Sequence, residues 1–228
     1  MTRFVIPPPA TPSVAVADTP DRFPVRRIFC VGRNYAAHVR EMGNDEREPP
    51  FFFTKPADSV VDDGAILDYP PETQNLHHEA ELVVAIGTGG REIAEADALS
   101  HVWGYAAGND LTRRDLQAAA KKAGRPWDWA KGFDRSAVCG PLRPVAATGH
   151  PASGRILCRV NGETRQEGDL AEMIWSVPEI IASLARSIEL QPGDLVFTGT
   201  PAGVGPLERG DTCEVEIAGV GGVSVKIA

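Results

Sequence analysis

The amino-acid sequence predicts a β-rich α+β fold, and three features carry that prediction. The 228 residues include 23 Gly and 19 Pro, a density that favours many turns and short strands over long helices. Stretches such as LVVAI (82–86) and VWGYAAGND (102–110) have the composition of strands with buried faces. Only 113–124 and 176–190 read as clear helices, and they do not alternate with strands as a βαβ fold requires.

Residues 1–24 hold a cluster of prolines and read as an N-terminal arm or a first edge strand, ahead of one domain over 25–228. VRRIFCVGRNY (25–35) reads as a strand ending in a glycine turn. YAAHVREMG (35–43) reads as a short helix stopped by Gly43. The polar stretch 40–50 that follows buries little apolar surface, which leaves open a static surface turn or a mobile cover over 38–48. FFFTKP (51–56) is a short strand that Pro56 ends. GAILDYPP and EAELVVAIG supply two more strands. RRDLQAAAKKAG (113–124) is a helix with Gly124 as its stop. Asn161-Gly162 marks a tight hairpin. The C-terminal 36 residues read as strands joined by glycine turns.

The formal net charge of −8 and pI near 5.2 argue against a nucleic-acid or anionic membrane partner. No apolar run approaches the ~20 residues that span a bilayer. Cys30, Cys139, Cys158 and Cys213 are scattered with no CxxC pair, as reduced thiols of a cytoplasmic protein are.

In NLHHEAELVVAIG (75–87), Glu79 and Glu81 stand two apart at the mouth of a strand and therefore share a face. Two buried carboxylates that close repel unless something compensates them. A hard divalent cation, Mg²⁺ or Mn²⁺, would do so, with Asp110 at the end of the second strand as a third oxygen ligand. Spacing alone leaves open a solvated acidic strand face. His77 and His78 invite an iron-site reading. Neighbours on a strand point to opposite faces, however, so His78 is read as packed in the core.

His38 and Glu41 in HVRE fall on one helical face, as a general base and its orienting carboxylate would, or as a surface pair would. Lys131 in PWDWAKGFD is a candidate oxyanion stabiliser or a snorkelling surface lysine. FTGTPAGVG (197–205) lacks the GK[ST] of a phosphate loop. It suits a turn that presents N–H groups and the Thr200 hydroxyl to a carboxylate, or a plain hairpin turn.

Taken together, VGRNYAAHVREM, FFFTKP, NLHHEAELVVAIG, GYAAGNDLTRRDLQ, WAKGFD and GDLVFTGTPAGVG, in this order, resemble the fumarylacetoacetate hydrolase family, in its short acylpyruvase and fumarylpyruvate hydrolase branch. The resemblance runs from about residue 25 to the C-terminus. It implies a mixed β-sandwich roll, usually a homodimer. It implies Glu79, Glu81 and Asp110 as ligands of Mg²⁺ or Mn²⁺, His38, Glu41 and Lys131 as catalytic residues, and Arg33, Gln117 and Thr200 as contacts of a small 2-oxo acid. Lys55 is a further substrate-contact candidate. The implied activity is hydrolysis of the C–C bond of 2,4-dioxo acids, fumarylpyruvate foremost. The alternatives are oxaloacetate decarboxylation, isomerisation of unsaturated 2-hydroxy diacids, and a metal-binding module without activity.

Overall fold

The structure is a computed structural model that describes residues 3–35 and 48–228. The helix expected over 35–43, with His38 and Glu41, and nearly all of the expected cover over 38–48 lie outside the described residues.

The described strands run β1 (Ser13–Ala15), β2 (Arg22–Pro24), β3 (Arg27–Gly32), β4 (Phe51–Lys55), β5 (Val60–Val61), β6 (Ala65–Leu67), β7 (Leu76–His78), β8 (Ala80–Ile86) and β9 (Val102–Asp110). They continue as β10 (Thr112–Arg113), β11 (Ala137–Cys139), β12 (Arg143–Pro144), β13 (Arg155–Val160), β14 (Glu163–Asp169), β15 (Asp194–Phe197), β16 (Gly205–Leu207), β17 (Thr212–Ile217) and β18 (Gly221–Ile227). Four α-helices accompany them among the described residues: α1 (Arg114–Ala123), α2 (Asp128–Lys131), α3 (Val145–Thr148) and α4 (Val177–Ser187).

The largest sheet is ordered β4-β3-β15-β8-β9-β11-β5, with β12 also on β9, and mixes parallel and antiparallel pairs. A five-stranded sheet, β14-β13-β17-β18-β6, packs against one of its faces, and a small sheet, β10-β7-β16, carries the two histidines. Every residue of β8 is buried. Leu82, Val84 and Ile86 face the core shared with Ile156, Val215, Val225 and Ile181 of α4. Val83 and Ala85 face a second core with Ile28, Cys30, Ala106 and Phe197. Burial on both faces is why this strand reads as a continuous apolar run rather than an alternating one. Each large aliphatic side chain so buried contributes about 1.5–3 kcal/mol.

Local signals act where the sequence put them. Gly124 closes α1 in the left-handed conformation, φ 61°. Asn161 and Gly162 both take positive φ, 53° and 82°, as the tight turn between β13 and β14 requires. Glu179 reaches back to the Ser176 N–H at 2.8 Å and caps α4. The N-terminal prolines flank a β1–β2 hairpin that drives Val14 and Phe23 into the second core. All four cysteines are buried and free.

Candidate metal centre and active site

Pairing of β8 with β9 builds the site. Glu81 lies opposite Gly108 in register, and the Asp110 N–H donates to the Glu79 carbonyl at 2.9 Å. Both strands alternate side chains between faces. Glu79, Glu81 and Asp110 therefore share one face, while His78, Ala80 and Asn109 share the other. The three carboxylates are buried, and one oxygen from each lies within 4.8 Å of the others. Gly108 is required opposite Glu81, because a Cβ there would come within 2.4 Å of Val83.

Among the described residues, three cations meet these carboxylates. Lys131, at the end of α2, places Nζ 2.8 Å from Glu79 Oε2 and 2.6 Å from Asp110 Oδ2. Lys55, at the end of β4, places Nζ 2.7 Å from the other Asp110 oxygen and also donates to the carbonyls of Leu111 and Lys131. Arg114, the first residue of α1, donates to Glu79 Oε1 at 2.5 Å. Glu81 fares differently: among the described residues its carboxylate accepts from the Gly199 N–H, at 2.8 Å. Its pKa is pushed well up, first by burial and then by Asp110 and Glu79. A dication among the three carboxylates would remove that penalty. An all-oxygen, all-carboxylate donor set also suits a hard cation. The residues present therefore fit the metal that the sequence implies. Among the described residues the three carboxylates face Lys55, Lys131 and Arg114, so a bound dication would make the centre more positive and more receptive to an acid.

Burial pushes the Lys131 pKa down, but Asp110 and Glu79 outweigh it and hold the lysine above its ordinary value. Lys131 is thus a fixed cation, suited to stabilising an oxyanion and unsuited to acting as a base. It is 2% exposed, which removes the surface-lysine reading.

The pocket over the triad is lined by Arg33, Gln117 and Thr200 together with Glu79, Glu81 and Lys131. Arg33 reaches it from a turn with φ 60°, just after β3. Gln117, one turn into α1, accepts from Arg114 at 2.5 Å. Lys55 is not among the lining residues: it stands behind Asp110 and fixes it from the far side. His77 and His78 diverge, as neighbours on a strand must. His77 accepts from Arg114, and its pKa is lowered to about 4 by burial and by that guanidinium. His78 is fully buried with Nδ1 2.8 Å from Gln166.

Sequence reasoning passed over three residues. Arg114 stands three before Gln117 on the same helix, a spacing that puts the two on one face. Gly199 holds φ +96° and a Cβ would meet Asn34 at 2.7 Å, so only glycine offers its N–H to Glu81 there. Gln166 lies on a polar hairpin strand and carries no sequence signal at all. Beyond the triad the pocket opens into a groove of about 690 Å³ among the described residues, walled by Phe51, Phe53 and Trp127 with Lys121 and Arg125 beside them.

The fumarylacetoacetate hydrolase C-terminal family matches residues 27–228. This chain belongs to the fumarylacetoacetate hydrolase family. Its fold superposes on a fumarylpyruvate hydrolase from Pseudomonas aeruginosa, solved with Mn²⁺ and pyruvate, at a TM-score of 0.97 with 53% identity over 99% of both chains. The mixed roll implied by the sequence is therefore the fold found. A Ralstonia sp fumarylpyruvate hydrolase is 43% identical over 180 residues, 79% of this chain and 93% of that one. The mouse mitochondrial oxaloacetate tautomerase FAHD1 is also 43% identical, over 202 residues, 89% of this chain and 91% of that one. The protein is thus an enzyme of this family with a carboxylate triad able to hold a divalent metal. Relatives of equal identity carry two different reaction names. No helix of the described residues is long and apolar enough to cross a membrane.

Proposed function

We propose that the protein is a divalent-metal-dependent hydrolase that cleaves the C3–C4 bond of 2,4-dioxo acids, fumarylpyruvate foremost, to pyruvate and a carboxylic acid. The observation that carries this reading is the aromatic-walled groove, with Lys121 and Arg125 on it beside Glu48 and Asp128, that continues the pocket past the triad among the described residues. Oxaloacetate would fill the triad end alone. A fumaryl chain would extend past Phe53 and Trp127, with Lys121 and Arg125 near its distal carboxylate.

Glu79, Glu81 and Asp110 would hold Mg²⁺ or Mn²⁺. When bound, such an ion supplies Lewis-acid polarisation of the 2-oxo group and a template for its neighbouring carboxylate. Arg33, Gln117 and Thr200 hold the acid. His38, oriented by Glu41, takes a proton from water, and the resulting hydroxide adds to the C4 carbonyl. Lys131 stabilises the oxyanion that forms. Breaking C3–C4 releases the enolate of pyruvate, which is then protonated at C3. Lys55 serves Asp110 rather than the substrate. In keeping with the resemblance, the working form is a homodimer, and the four scattered free cysteines suit the cytoplasm.

A second reading, oxaloacetate tautomerase, is favoured by the 43% identity to the mouse enzyme of that name. It shifts a proton between C3 and the 2-oxygen and needs no water. Purified protein with Mg²⁺ or Mn²⁺ would be assayed on fumarylpyruvate, acetylpyruvate, fumarylacetoacetate and oxaloacetate. Pyruvate release from fumarylpyruvate at the highest kcat/KM supports hydrolysis. Turnover confined to the keto–enol exchange or decarboxylation of oxaloacetate overturns it.

A further inference from the structure

Gln166 is 1% exposed on a strand whose neighbours are mostly open to solvent. It belongs to β14, in the five-stranded sheet, yet its side chain reaches the mouth of β8 in the other sheet. Its amide is fully engaged. Oε1 accepts from the Ala80 N–H at 3.0 Å and from His78 Nδ1 at 2.8 Å. Nε2 donates to Thr200 Oγ1 and to the Pro201 carbonyl, each at 2.8 Å.

The orientation of this amide is fixed by its partners. The Ala80 N–H only donates and the Pro201 carbonyl only accepts, so a flipped amide would set like against like at both ends. It follows that His78 carries its proton on Nδ1. It also follows that Thr200 accepts from Gln166 and does not donate to it. The Thr200 hydroxyl proton is left for another acceptor, and Thr200 lines the pocket beside Glu79, Glu81 and Lys131. Two glycines allow the approach of the 198–205 loop to β14. A Cβ on Gly203, which has φ +93°, would meet the Arg165 carbonyl at 2.4 Å, and one on Gly168 would meet Pro201 at 2.9 Å.

We infer that Gln166 is a positioning residue that turns the Thr200 hydroxyl into a donor toward the bound acid while its oxygen pins the peptide between Glu79 and Glu81. One side chain thereby sets the acid contact and the metal strand together. The inference rests on the proposed reading only in taking Thr200 as a contact of the acid.

Gln166→Glu separates the two tasks. A carboxylate keeps an acceptor for Ala80 but draws the Thr200 proton toward itself and gives up the donation to the Pro201 carbonyl. Binding of Mn²⁺, and then of oxalate to the Mn²⁺-loaded protein, would be measured by calorimetry for the wild type, Gln166→Glu, Thr200→Val and the double variant. The expected result is Mn²⁺ affinity within about threefold of wild type and a loss of oxalate affinity of about ten- to a hundredfold in each single variant. The double variant should be no worse than Thr200→Val alone, because both changes remove one contact. Thr200→Ser, which keeps the hydroxyl, should restore oxalate binding. Should Gln166→Glu not fold, Gln166→Met enters the same cycle. Wild-type oxalate affinity in the Gln166 variant or in Thr200→Val overturns the inference. So does full additivity in the double variant, or a wild type that does not bind oxalate. A protein that shows the expected pattern yet leaves fumarylpyruvate intact overturns the proposed reaction and leaves the role of Gln166 standing.

Discussion

Lys131 Nζ lies 2.6 Å from Asp110 Oδ2, and both side chains are at most 2% exposed. An ion pair this deep is maintained only because Glu79, Lys55 and Arg114 complete the network around it. Lys131→Gln removes the cation and keeps much of the volume. The expected outcome is a fall in kcat of about 10²- to 10³-fold, the usual loss of one oxyanion donor. Mn²⁺ affinity should be unchanged or higher, since Glu79 and Asp110 lose a competitor for their oxygens. Calorimetry alongside steady-state rates reads both, and weaker Mn²⁺ binding without a rate defect would remove Lys131 from the chemistry.

Glu81 tests the metal centre directly. Its carboxylate is the member of the triad with no paired cation among the described residues. Glu81→Ala should abolish detectable Mn²⁺ binding by calorimetry and reduce metal-dependent turnover to background. Full activity of the wild type in EDTA would contradict the assignment.

Metal binding should also show in stability. A ligand at about 100 times its Kd adds about 2.7 kcal/mol to the native state. For a chain of this size that raises Tm by roughly 5–10 °C. Thermal melts of the wild type with EDTA and with saturating Mn²⁺ should differ by that amount, and melts of Glu81→Ala should not differ.

His38→Ala separates the two candidate reactions. If water attack is general-base catalysed, kcat for fumarylpyruvate should fall about 10²- to 10⁴-fold with Mn²⁺ affinity near wild type. A variant that hydrolyses the substrate within twofold of wild type excludes His38 as the base.

Gly199→Ala tests the turn that serves Glu81. Its φ of +96° and the 2.7 Å approach to Asn34 both oppose a side chain. Left-handed backbone alone costs about 1–2 kcal/mol, so Tm should drop by at least roughly 2–4 °C. Oxalate and Mn²⁺ binding should weaken as well, because the Gly199 N–H moves from Glu81. An unchanged melt would show that the loop accommodates a methyl group.

Legibility in the sequence followed the range of the signal. Glu79 and Glu81 were readable because strand alternation is local, and Asp110 because it ends the partner strand. His77 and His78 diverge by the same rule. Helix stops and the Asn161-Gly162 turn are likewise decided within a few residues. Lys55 is different: the sequence offered a lysine near the site, but only the pairing of β3 with β4 shows that it stands behind Asp110 and not in the pocket. Gln166 was invisible, since a glutamine in ETRQEG reads as one more polar residue of a hairpin. Its importance comes from a contact with Thr200, 34 positions away, and with Ala80, 86 away. The role of His38 and Glu41 rests on the family pattern, as they lie outside the described residues.

The pairing of β8 with β9 has a consequence for how this enzyme is re-engineered. The triad rides on two strands buried on both faces and locked by register, so the chemistry at the triad belongs to the scaffold. What lies around the other end of the pocket is the end of α1 at Lys121 and the short loop at Trp127. Those parts tolerate insertion and exchange far better than paired strands do. On the proposed reading, substrate range would be set by interchangeable pieces mounted on a fixed reaction core. On the proposed reading, libraries confined to positions 121 and 125–127 should alter the acyl group accepted while leaving the bond that is broken the same.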